Sequence, residues 1–144
     1  MDEPECTEHQ TEELIQVGRG APGRVVGLFA VRPVYQKIGD VEMVSLIDEA
    51  VSKAQEAIWT RGLLTKESCL VDGVSGNSLA FTNMERKATF LAKSTAEVTD
   101  TGIAEGSLDP SSSPSGLRRG WMGTIWAMLE YERARSGIMP RLTQ

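Results

Sequence analysis

Residues 69–81 read CLVDGVSGNSLAF, and the Gly-x-x-Gly at 73–76 inside that stretch decides how the chain is organised. The same form recurs as GAPG at 20–23 and GWMG at 120–123, each time ahead of an apolar segment. The first glycines, Gly20, Gly73 and Gly120, lie 53 and 47 residues apart. A period of roughly 50 residues marks a repeat architecture. Each unit is expected to be a glycine turn, an inner helix, a connector and an outer helix. Glycine permits positive φ in such a turn and lets a helix start come close to a neighbouring backbone or ligand. The free N–H groups of a helix start favour anions. Turns gathered at one end of the fold would therefore favour a negatively charged partner, while the plainer reading is three helix starts without a ligand.

Between the turns the periodicity is helical. Val25, Val26, Leu28, Phe29, Val31 and Val34 follow the first turn, with Pro33 expected to end or kink that helix. Residues 41–60 form the clearest helix, with Val44, Ile47, Val51, Ala54 and Ile58 on one face and Gly62 placed to stop it. Two shorter helices are expected at Ser78–Phe81 and Ala88–Val98, with Met84-Glu85-Arg86 in the junction. Trp121–Arg135 reads as a further helix, with Ile125, Met128 and Leu129 on its apolar side. Trp59, Trp121 and Trp126 suit a core. No alternating run of useful length marks a strand, so the fold class is all-α.

Composition sets the outer limits. A chain of 144 residues accommodates one modest domain. The net charge of −5 and scattered basic residues argue against nucleic-acid binding, which needs clustered Lys and Arg. No apolar run approaches the roughly 20 residues that span a bilayer. The acidic start, MDEPECTEHQTEE, lacks the basic and apolar regions of a secretory signal. Two cysteines, Cys6 and Cys69, are too few for a disulfide scaffold. A cytoplasmic location follows as the expectation. Residues 1–13 read as a flexible acidic tail, 14–140 as the folded domain, and about 100–116 as a Ser-, Pro- and Gly-rich loop.

VGRGAPG at 17–23, AIWTRGLLTK at 57–66, CLVDGVSGNSLAF at 69–81 and LRRGWMGTIWAMLEY at 117–131 together resemble the lanthionine synthetase C-like family. That family's segments look like Trp-Cys-His-Gly-Ala-Pro-Gly, a tryptophan helix into Gly-Leu-Leu, Gly-Leu-Cys-His-Gly-x-x-Gly-Asn, and Phe-Glu-Gly-x-x-Gly-Thr. Order and spacing agree over roughly residues 14–140. The resemblance implies an α/α toroid of seven helical hairpins with zinc at the mouth of its cavity. It also implies addition of a thiol to a dehydroamino acid, with glutathione as the thiol in some relatives. Zinc with three protein ligands keeps one position for that thiol and lowers its pKa.

The ligand positions do not keep their donors. Gly18 stands where the first cysteine is expected, Arg19 at its neighbouring histidine, and Val71 and Asp72 at the Cys-His pair. Zinc and zinc-dependent thioether formation are therefore expected to be absent, and no residue is assigned a catalytic role. Cys6-x-x-His9 and Cys69-x-x-Asp72 have ligand-like spacing, but the first lies in the acidic tail and Cys69 precedes the ligand position by two residues. Asp72 is better suited to capping the following helix, and Asn77 to bonding the local backbone. Arg19, Arg118 and Arg119 precede glycine turns and form a candidate anion site, against the plainer reading of solvated arginines.

The chain matches only the C-terminal three hairpins of the seven. An incomplete arc would leave helical faces bare unless it pairs with itself or with another chain. The expectation is a degenerate member acting as a binding, interaction or accessory module without metal. The alternative is a glutathione- or peptide-thiol-handling accessory enzyme. A third reading is a truncated gene product of a full-length member.

Overall fold

A computed structural model of the chain describes residues 15–63, 69–95, 102, 104–106 and 121–137. Among them every regular element is an α-helix and there is no strand. The elements are α1 (Ala21–Ile38), α2 (Val41–Arg61), α3 (Val74–Ser78), α4 (Met84–Ala92) and α5 (Trp121–Arg135). The acidic stretch 1–13 lies outside the described residues. Within 100–116 only 102 and 104–106 are described: 102 and 104 are helical, and Gly106 is left-handed at φ 70°.

Helices α1 and α2 form an antiparallel-type hairpin by sequence-coded stops and starts. Gly39 takes the left-handed conformation (φ 79°) that only glycine adopts without cost, and its N–H donates to the carbonyl of Gln36. Asp40 then caps α2 by accepting from the Met43 N–H at 3.0 Å. Between the two helices Arg32 grips Asp48, with Nε to Oδ1 at 2.6 Å and Nη2 to Oδ2 at 2.8 Å. That fork holds the Asp48 carboxyl below its ordinary pKa and raises that of Arg32.

Of the two expectations for Pro33, an end or a kink, the end is not met: α1 continues through it to Ile38. Proline removes the bond that the Phe29 carbonyl would accept, while α1 packs along α2 on both sides of it.

The expected apolar face of α2 is the one that is used. Ile47, Val51 and Ile58 are buried, with Val44 and Ala54 half-buried. They join Ile15, Val25, Val74, Ala80, Phe81 and Phe90 in one core. Where α2 ends, Phe81 and Phe90 meet edge-on at 4.8 Å, and Trp59 closes over both at 6.2 and 6.0 Å. Such aromatic pairs add to their area of burial. Trp59 is only partly covered, and the Arg86 guanidinium lies 5.1 Å above its ring while pairing with Glu56.

Two short helices are displaced from their expected positions. The helix after the second turn is Val74–Ser78, not Ser78–Phe81, because it begins directly at Gly73. The next is Met84–Ala92, and Met84-Glu85-Arg86 form its first turn. Asn83 sets that start by accepting from the Arg86 N–H at 3.0 Å. Helix α5 follows its expected span but buries a different side. Gly123, Thr124 and Ala127 are covered and Met128 is half-buried, whereas Ile125, Trp126 and Leu129 are exposed. Small residues let α5 approach α3 and α4 closely, which turns its bulky side outward. Between α4 and α5, burial lowers the pKa of Lys87, opposed by the charge of Glu130.

The aromatic cluster gives the first test. Phe90→Ala leaves a cavity at the junction of α2, α3 and α4, and is expected to cost about 3–5 kcal/mol in urea unfolding. Val34→Ala, on exposed surface, is expected to stay within about 0.5 kcal/mol of the parent.

Candidate functional site at the paired glycine turns

The first two Gly-x-x-Gly turns repeat in structure as they do in sequence. Gly20 and Gly73 are the N-cap residues of α1 and α3, and Gly23 and Gly76 are the third residues of those helices. Both caps are extended rather than left-handed, so positive φ is not what selects glycine there. Close approach is. A Cβ on Gly23 would collide with the Val17 carbonyl, and one on Gly76 with the Leu70 carbonyl. In each turn the obstructing carbonyl lies six residues before the glycine. Gly123 is likewise the third residue of α5 and is buried. Gly120, Arg118 and Arg119 lie outside the described residues.

Because the turns are equivalent, the residues after the obstructing carbonyls are equivalent as well, and they meet. The Gly18 N–H donates to the Val71 carbonyl at 2.9 Å. A Cβ on Gly18 would stand 2.6 Å from Cγ1 of Val71 and 3.4 Å from Oδ1 of Asp72. Positions 18, 71 and 72 thus share one spot, with Gly18 and Arg19 exposed and Val71 and Asp72 half-buried. The donor set does not fit a metal: glycine has no side chain, valine has no donor atom, and Asp72 alone cannot form a tetrahedral site. Among the described residues no group of three His, Cys, Asp or Glu is placed to hold a metal ion. Cys69, buried close by, serves through its carbonyl, which accepts from the Gly76 N–H and the Ser75 hydroxyl. Cys6 and His9 lie outside the described residues.

Asn77 was expected to bond local backbone, and its reach is much longer. Its fully buried Nδ2 donates to the carbonyls of Ile15 at 2.7 Å and Gly62 at 2.9 Å. One amide therefore ties the entry to the first turn and the exit of α2 to the second turn. Two carbonyl partners fix which end of the amide is nitrogen. Its Oδ1 has no hydrogen-bond partner among the described residues. Thr124 takes the corresponding place after the third turn, and its hydroxyl donates to Ser75 Oγ at 3.1 Å. Ser75 in turn donates to the Cys69 carbonyl at 2.8 Å. These buried tethers join α5 to the second turn, and only their position directly after a Gly-x-x-Gly signals them in sequence.

Asp72 does not cap α3, whose N-cap is Gly73 without a side-chain bond. Arg19 is exposed at the rim of the Gly18 contact. No helix of the described residues is long and apolar enough to cross a membrane. No family model matches the chain, and no solved structure matches it significantly.

The junction predicts two stability changes. Gly76→Ala drives a methyl into the Leu70 carbonyl and is expected to cost at least about 2 kcal/mol. Asn77→Asp faces a carboxylate against two carbonyl oxygens, and a loss of about 3 kcal/mol or more is expected in denaturant unfolding at neutral pH. A loss below about 1 kcal/mol in either variant would contradict the close-packed junction.

Proposed function

We propose that this chain is a metal-free relative of the lanthionine synthetase C-like proteins, acting as an interaction module rather than as a thioether-forming enzyme. The reading takes its architecture as an arc of about three helical hairpins from the seven-hairpin toroid. The single observation that carries it is the meeting of Gly18 with Val71 and Asp72. Those three positions stand at the family's ligand places in the sequence match. They come together, and a backbone hydrogen bond and a valine methyl occupy the space between them. With no thiolate or imidazole at that spot, an incoming thiol has no metal to lower its pKa, and it remains largely protonated at neutral pH.

Metal content of the purified protein tests this directly. Zinc well below one equivalent is expected, with no change in Cys69→Ala. Stoichiometric zinc that Cys69→Ala abolishes would overturn the reading. A glutathione titration addresses the thiol-handling alternative. No saturable heat signal is expected, whereas binding that Arg19→Ala weakens about tenfold would favour that alternative over a bare interaction module.

A further inference from the structure

We draw no further inference here: the strongest candidate, the open pocket that Trp59 of α2 lines with Asn83, Glu85, Arg86 and Thr89 beside α4, carries nothing, because the Arg86 guanidinium over the indole is already paired with Glu56 and nothing in the structure shows what ligand the pocket takes.

Discussion

The buried amide of Asn77 is the interaction on which the rest of the structure depends. Its nitrogen reaches the carbonyl that opens the first turn, at Ile15, and the carbonyl that closes α2, at Gly62. Both carbonyls lie away from water, so each would otherwise carry the penalty of an unpaired acceptor. The amide can do this only because Gly76 lets the second turn settle onto the Leu70 carbonyl, and Gly62 lets the end of α2 settle against the Phe90 ring. Three segments far apart in sequence are thereby fixed at one point. The apolar cluster of Ile58, Phe81 and Phe90 packs around this junction. Burial supplies most of the driving force, and the amide sets which segments meet.

That junction also explains why two turns 53 residues apart in sequence behave alike. Each glycine at the third helical position lies against a carbonyl six residues earlier. Each turn then presents the next residue toward its counterpart, which brings Gly18 to Val71. In a metalloenzyme such a point of convergence suits a metal, because donors from separate segments are held at short range by rigid backbone. Here the same convergence is closed by a backbone hydrogen bond and an aliphatic contact. The function proposed for the chain rests on reading this closed convergence as the counterpart of a metal site.

Much of this could be read from the sequence. The all-α class, the span and buried face of α2, its stop at Gly62, and the repeat of the glycine turns follow from periodicity and punctuation. Other features could not. The role of Asn77 depends on contacts 62 and 15 residues away, which no local pattern records. Glycine in the turns left two reasons open, because close approach and positive φ leave the same residue in the sequence, and close approach is the one that the backbone shows. The starts of α3 and α4 shifted because Gly73 and Asn83 act as caps, and cap strength is not visible in an apolar pattern. On α5 the bulky residues were expected inside, and the small ones, Gly123, Thr124 and Ala127, took their place. Hydrophobicity ranks residues, whereas the distance between helices decides which side can be buried.

The central proposal is that positions 18, 71 and 72, which lie together, correspond to a metal site whose donors are missing. Restoring donors tests it most directly: Gly18→Cys, Val71→Cys and Asp72→His combined in one chain, titrated with cobalt(II). The account predicts one equivalent bound, with thiolate-to-metal absorption and the visible bands of a tetrahedral ion, both lost when Gly18→Cys is omitted. A folded triple variant that takes up no cobalt would contradict it.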